Sequence, residues 1–470
     1  MKSRRLLVVS NRLPAAIHPT DDGWQITPGA GGLVTALAPV MQKNQGVWIG
    51  WAGCDDAAPV DDLLQEFSDR QGYRLSAVPI TEEEIEGYYR GFSNETLWPL
   101  FHDLLGNCRF STENWDTYGH VNQRFAEVVC REARPDDFIW VHDYQLILVG
   151  KHLRKLCDPR PLAFFLHIPF PSPDLFRRLP WKKEVLQGLL AYDLVGFQTL
   201  RDRRNFVQCV REMMPGITID IRRRTTRLQL GDRSLTVGHF PISIDFNEFH
   251  QGAKNPAVAD AAWYLHENFG DLQLVLGVDR LDYTKGIPER LLAFERALDK
   301  YPEMVQQVSL LQIVIPSRTL VPEYRDLKTE LDGLVGRINA RFSHHGWVPI
   351  HYVFRCLDRT QLLAHYRSCE IALISPLRDG MNLVAKEYCA SSVDGNGVLI
   401  LSEFAGAADQ LARGALLVNP YDIEGTADAI YRAWTMPLEE RKRRMGRLQT
   451  QLRANDVHRW VEWFLGAWTA

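Results

Sequence analysis

Short apolar runs, each ending in a polar or glycine-rich cluster, recur along the chain and carry most of what its pattern predicts. Leu6–Ser10 reads as a central parallel strand, Gly46–Trp51 alternates like a strand and ends on an aromatic, and Asp137–Val141, Leu162–Leu166 and Asp193–Phe197 are further short strands. A helix is predicted over Leu200–Met213, and strands from about Ile217 to Phe240 come after it. Beyond Pro241–Asp245 a second series begins, with strands at Leu272–Gly277, Val308–Ile315, Ile350–Phe354, Ile371–Ile374, Val398–Leu401 and Ala415–Val418. Helices lie between them, one running from Pro288 to Lys300 with proline in its favoured early position. Strand alternating with helix is the signature of a parallel sheet covered on both faces. The reading is α/β: two Rossmann-like doubly wound domains, 1–243 and 244–453, facing a cleft. The tail 454–470, aromatic-rich from Asn455 to Trp468, is expected to form a helix that packs back on the first domain.

In open α/β sheets ligands bind beyond the carboxyl ends of the strands, so the residues just past each apolar run matter most. The first strand delivers Asn11 and Arg12. Gly29, Gly31 and Gly32 then lead into a helix over Leu33–Met41, and Ala15–Pro28 before them reads as a loop that orders on ligand binding. His142, Asp143 and Tyr144 end one strand, and His167 opens the stiff stretch HIPFPSP after another. Thr81–Leu105 is helical and contains Tyr88, Tyr89 and Trp98, aromatics that are more often core than ligand-stacking.

The densest chemistry lies in IALISPLRDGMNLVAKEY, Ile371 to Tyr388: a strand, a turn through Asp379 and Gly380, and a helix opened by Asn382. Unpaired amides and the positive end of the helix dipole suit such a terminus to a diphosphate. Glu387, one turn beyond Leu383, is then about 6 Å further along the same face, within reach of ribose hydroxyls. Amides near Leu383 and Val384 would hold the phosphates, and Asp379 would face the group they carry. The plainer reading is an N-capped helix with a solvated Glu387. Arg280 and Lys285, five residues apart in the loop after another strand, favour the sharper one, because two fixed cations can neutralise a departing diphosphate. No Asp-x-Asp pair stands after a strand as a metal site, so no metal and no cofactor are expected.

Composition narrows the class. A chain of 470 residues, 46% hydrophobic and 24% charged, is long enough for two or three soluble domains. A formal net charge of −4 gives no reason to invoke nucleic acid or a membrane surface, and Arg222, Arg223, Arg224 and Arg227 read as a solvated edge before a hairpin. Eight cysteines lack ligand or CxxC spacing; those in apolar runs, such as Cys130 and Cys369, suit buried reduced thiols. The start of the chain has only a four-residue apolar run, so no signal peptide is read and a cytoplasmic location is expected.

Several motifs, in order across nearly the whole chain, resemble trehalose-6-phosphate synthases. These are SNRLP at Ser10, GGL at Gly31, HDYQ at His142, HIPFP at His167, GFQT at Gly196, DRLDYTKGIPER at Asp279, PLRDGMNLVAKEY at Pro376 and LSEFAGAA at Leu401. The resemblance implies the GT-B glycosyltransferase fold and transfer of glucose, with retention, from a nucleotide-glucose donor to a glucose 6-phosphate acceptor. Carried over by position, Gly31, Gly32, Arg280, Lys285, Asp379, Asn382, Leu383, Val384 and Glu387 would bind the donor. Arg12, Tyr89 and Arg318 would take the acceptor's phosphate, with Trp98 and Asp143 on its sugar. Asp143, His167, Arg280, Lys285 and Asp379 would form the catalytic set, His167 acting through its backbone. A homo-oligomer, dimer or tetramer, is expected. Leu357 stands where some relatives carry an aromatic near the nucleotide base, leaving uridine, guanosine and adenosine donors open. The competing readings are a transferase similar to glucosylglycerol-phosphate synthase and a non-catalytic sugar-phosphate sensor on the same fold.

Overall fold

The computed structural model describes residues 4–20, 23–29, 32–54, 59–156, 160–222, 224–318 and 321–468. The chain divides into two compact units, one running up to Pro241 and taking in the segment from Trp460 onward, the other spanning Ile242–Arg459.

The first unit contains β1 (Leu6–Arg12), β2 (Ala15–Thr20), β3 (Gly23–Pro28), β4 (Val47–Trp51), β5 (Arg74–Ala77), β6 (Phe138–His142), β7 (Leu162–Phe165), β8 (Leu194–Phe197), β9 (Thr218–Ile221), β10 (Thr225–Leu230) and β11 (Arg233–His239). Its main sheet has the order β5-β4-β1-β6-β7-β8-β11-β10-β9. Pairing is parallel from β5 through β11, and antiparallel between β11 and β10 and between β10 and β9. Leaving the β2–β3 hairpin aside, the first six strands of the sheet are ordered 3-2-1-4-5-6, so the winding reverses between β1 and β6. Those central strands are apolar without alternation because helices cover both faces: every residue of β6, FIWVH, is buried.

Two expectations fail here. Ala15–Pro28 is a hairpin rather than a loop, paired from Ala15 opposite Pro28 to Thr20 opposite Gly23. Ile17 faces Ile26 across it, and both are buried, which gives so short a ribbon its holding contact. Six-residue strands, one of them broken by a proline, carry too faint a period-2 signal to be read from sequence. Cys130, on the helix Thr112–Glu132, is disulfide-bonded rather than a free thiol. Absence of CxxC spacing bears only on neighbours in sequence. Cys54, Cys108, Cys209, Cys356, Cys369 and Cys389 are not disulfide-bonded.

The last helix, Val457–Trp468, contributes its aromatic residues to the first unit's core. Phe464 stacks on Trp140 at 4.2 Å between ring centroids, and Trp460 donates its indole N–H to the Phe240 carbonyl at 3.1 Å.

The second unit holds β12 (Gln273–Arg280), β13 (Val308–Ile315), β14 (Ile350–Phe354), β15 (Ile371–Ile374), β16 (Val398–Ser402) and β17 (Leu416–Val418), all parallel, in the order β14-β13-β12-β15-β16-β17. This again is 3-2-1-4-5-6, with reversal between β12 and β15. The helix Ile287–Lys300 turns Ile287, Leu291, Phe294 and Leu298 into the core, a spacing that keeps one face apolar. No described helix is long and apolar enough to cross a membrane.

Candidate active site

In the second unit the switch point collects the predicted donor residues. Strand β12 runs through Asp279 to an exposed Arg280, and a tight turn at Tyr283–Lys285 sets Lys285 back over the sheet edge. Lys285 donates to Asp379 Oδ2 at 2.6 Å, with both side chains largely buried. Asn382 Nδ2 donates to the same carboxylate oxygen at 3.2 Å, while its Oδ1 caps the helix Leu383–Ser391 by accepting from the Ala385 amide at 3.1 Å. Asn382 holds a left-handed φ of 76°, the bend that turns strand into helix so sharply. Gly286, at φ 61°, is dictated by space as well: a Cβ there would collide with the Ser375 carbonyl oxygen.

Beneath this surface Asp282 accepts from the Thr284 amide at 3.0 Å and the Thr284 hydroxyl at 2.8 Å. Burial works to raise the Asp282 carboxyl's pKa, yet the charges of Arg318, Lys285 and Arg280 hold it below the usual value. Three cations are thus within electrostatic reach of one buried carboxylate. Arg318 lies 3.8 Å from Asp282 and donates to the Tyr324 hydroxyl at 2.6 Å. Glu387 is set one turn into the capped helix and accepts from the Tyr366 hydroxyl at 2.8 Å; burial raises its pKa.

In the first unit the switch point lies where β1 ends in Arg12 and β6 gives way to Asp143. The Arg12 guanidinium lies over the Trp51 ring, 4.1 Å from its centroid, and Tyr89 is within electrostatic reach of it. Tyr88, one residue earlier, donates to Asn11 Oδ1 at 2.8 Å. Both tyrosines belong to Ile85–Leu97, a helix wound with i→i+5 bonds such as Trp98 N–H to the Ser93 carbonyl. Such winding often marks a functional segment. Trp98 is buried against His102 and Tyr144. Asp143 has a φ of 75°, and its Oδ1 accepts from the amides of Tyr144 at 3.0 Å and His167 at 3.1 Å. His167 in turn shares a 3.1 Å ring-nitrogen contact with His142, and burial drives the pKa of His167 down to about 3 and that of His142 well below its usual value. A neutral pair lets one ring donate and the other accept.

Asp143 and His167 are thus in direct contact, as are Lys285, Asp379 and Asn382, and Arg280, Lys285 and Arg318 share one carboxylate's field. Leu383 and Val384 open the capped helix. Gly32 opens the helix Gly32–Lys43, while Gly31 lies outside the described residues. Sequence reasoning missed three residues. Trp51 supports Arg12, and its position at a strand's end was the available signal. Arg290, fully buried, pairs with Asp279 and donates to Gln312 Oε1 at 3.1 Å, fixing the strand that bears Arg280. Tyr366 orients Glu387 from a helix that carries no motif.

The sequence matches Glycosyltransferase family 20 over residues 4–469. The chain belongs to that family. It is 43% identical over 472 residues to a trehalose-6-phosphate synthase of Mycolicibacterium smegmatis, covering 99% of this chain and 92% of that one. It is 42% identical over 467 residues to a bifunctional trehalose-6-phosphate synthase/phosphatase of Thermoproteus tenax, where it spans 97% of its own length but 62% of the relative's. Among solved structures, an α,α-trehalose-phosphate synthase (UDP-forming) from Burkholderia xenovorans in complex with glucose-6-phosphate superposes with a TM-score of 0.88 at 35% identity, over 99% of this chain and 100% of that one. An E. coli structure named for trehalose-6-phosphate and bound with UDP-2-fluoro glucose gives 0.88 at 36% identity, over 99% and 98%. The fold of this family 20 chain is accordingly the GT-B type, with two Rossmann-like units.

Proposed function

We propose that this protein is a retaining glucosyltransferase that moves glucose from UDP-glucose to glucose 6-phosphate, giving α,α-trehalose 6-phosphate and UDP. The observation that carries the reading is the contact of Lys285 and Asn382 with Asp379 at a helix terminus capped by Asn382, with Arg280 at the end of the neighbouring strand, at a sheet's switch point. Family membership and the substrates named for the solved relatives support it.

In this reading Arg280 and Lys285 take the donor's diphosphate together with Gly31, Gly32, Asn382 and the amides at Leu383 and Val384. Glu387 accepts from the ribose hydroxyls, and Asp379 from the glucose. Arg12, Tyr89 and Arg318 hold the acceptor's phosphate, Trp51 stiffens Arg12, and Trp98 and Asp143 line the acceptor's sugar. The His167 carbonyl lies by the anomeric carbon. The bond from the anomeric carbon to the phosphate oxygen breaks, and the acceptor hydroxyl forms the new bond on the same face. Its proton passes to the leaving phosphate oxygen, so catalysis rests on positioning and charge neutralisation. Six described cysteines outside any disulfide outweigh the disulfide at Cys130, so we take the enzyme to be cytoplasmic, and a homo-oligomer, dimer or tetramer.

A donor panel of UDP-, GDP- and ADP-glucose, each with glucose 6-phosphate or glycerol 3-phosphate and read by phosphorus NMR as disaccharide or glucosylglycerol phosphate, tests the assignment. Turnover with UDP-glucose and glucose 6-phosphate is expected. Ligand binding with no turnover in any pair would leave a sensor.

A further inference from the structure

On the helix Leu200–Met213, Arg203, Arg204 and Arg211 line a cavity of about 640 Å³ closed on its other side by Ile221, Arg222 and Thr226 of the β9–β10 region. That volume suits a small organic ligand. Arg203 is only 5% exposed, and its Nη1 is buried with no hydrogen-bond partner among the described residues. His239, at the end of β11, also has a buried and unpartnered Nδ1, and lies within the electrostatic reach of Arg203, Arg204 and Arg224. Nearby carboxylates already have partners, two of them among the residues that line the cavity. Glu212 accepts from Arg177 at 2.5 Å and from Gln208 at 3.0 Å, and Asp220 pairs with Arg222 at 3.0 Å. Asp202 accepts from the Phe170 amide at 3.0 Å and the Thr199 hydroxyl at 2.5 Å. Among the described residues no ion pair engages Arg203, Arg204 or Arg211.

A guanidinium withdrawn from water with part of its donor set unused is costly, and like charges around it raise that cost. Such a group is retained at little penalty if an anion completes it. Guanidinium forks match the oxygens of phosphate, and the walls offered by Val207 and Ile221 leave room for a short apolar portion. Of this unit's predicted catalytic residues Asp143 follows β6 and His167 follows β7, whereas β10 is separated from β7 by two strands.

We propose that this cavity is a second anion site, taking a small molecule with a multiply charged phosphate group. The minimal probe is inorganic pyrophosphate, titrated calorimetrically into Arg12→Ala/Arg280→Ala/Lys285→Ala/Arg318→Ala protein so that neither the donor cations nor the arginines given to the acceptor's phosphate contribute. Binding should persist there and weaken on the order of a hundredfold when Arg203→Gln/Arg211→Gln is added, about tenfold for each charge-assisted hydrogen bond removed. Unchanged affinity after that addition, or no binding before it, overturns the site. If removing Arg203 prevents folding, as read by circular dichroism, Arg204→Gln/Arg211→Gln keeps the buried side chain. It should weaken pyrophosphate on the order of a hundredfold as well, again about tenfold for each arginine removed, and equal affinity in that variant also overturns the proposal. Because the donor pair is absent throughout, this outcome is independent of glucosyl transfer.

Discussion

Single residues set the charge balance of the donor half. Lys285 is matched by Asp379, whereas Arg280 is exposed at the end of its strand, so Arg280 has more to give to an arriving diphosphate. Arg280→Ala should lower kcat/KM by about 10²–10³-fold, with Arg280→Lys recovering part of it; near-native turnover in the alanine variant would remove the charge-neutralisation mechanism. The histidine pair makes a pH prediction. His142 and His167 are held neutral, His167 down to a pKa of about 3, while in the unfolded chain both titrate near 6.5. Below that value the unfolded state binds protons the native state refuses, so stability falls as pH drops from about 6.5 towards 3. Urea unfolding at pH 7.5 and pH 5 should show a larger loss for the wild type than for His167→Asn; equal losses would mean the pair is not kept neutral. At this scale the sequence exposed the charged motif residues. Trp51 and Tyr366 stayed hidden because their roles lie in what they touch.

The helix Leu383–Ser391 joins several of these effects. Its Lys386 is fully buried, donates to the Ile242 carbonyl and to Gln410 Oε1, both at 2.6 Å, and has its pKa lowered by burial from 10.5 to about 7. Between those values the unfolded chain carries a proton that the native state sheds, so this group's contribution to stability grows as pH rises from about 7 to 10.5. The denaturation midpoint of wild type relative to Lys386→Met should therefore climb between pH 7 and pH 9.5. A constant difference would show that the lysine stays charged. The turn before the helix Ile287–Lys300 is equally constrained. Gly286→Ala would drive a methyl into the Ser375 oxygen at a positive φ, and should cost at least 1–3 kcal/mol by the backbone strain alone. Calorimetric unfolding checks it. Long apolar strands and their polar ends were legible because both signals are local. The Ala15–Pro28 hairpin was not, since its hold is the contact of Ile17 with Ile26 across the ribbon.

Over the whole chain, both units repeat the 3-2-1-4-5-6 order, and Arg12, Asp143, Arg280, Lys285 and Asp379 follow or end the strands at the point of reversal. The first unit also depends on the far end of the chain. Phe464 is fully buried on Trp140, and a Cβ on Gly196 would meet its ring at 2.6 Å. Phe464→Ala should cost about 3–5 kcal/mol, measured by urea unfolding of the full chain followed by tryptophan fluorescence. Amino-acid order alone determined the alternation of strand and helix, the two-unit plan and which polar residues stand at strand ends, because burial periodicity and helix termination act over a few neighbours. Tertiary structure alone decided the strand order, the approach of Arg318 to Asp282 and of Lys285 to Asp379, and the unpartnered Nη1 of Arg203 among the described residues. Those depend on which distant segments the packed sheets bring within a few ångströms of one another, and no local rule encodes that.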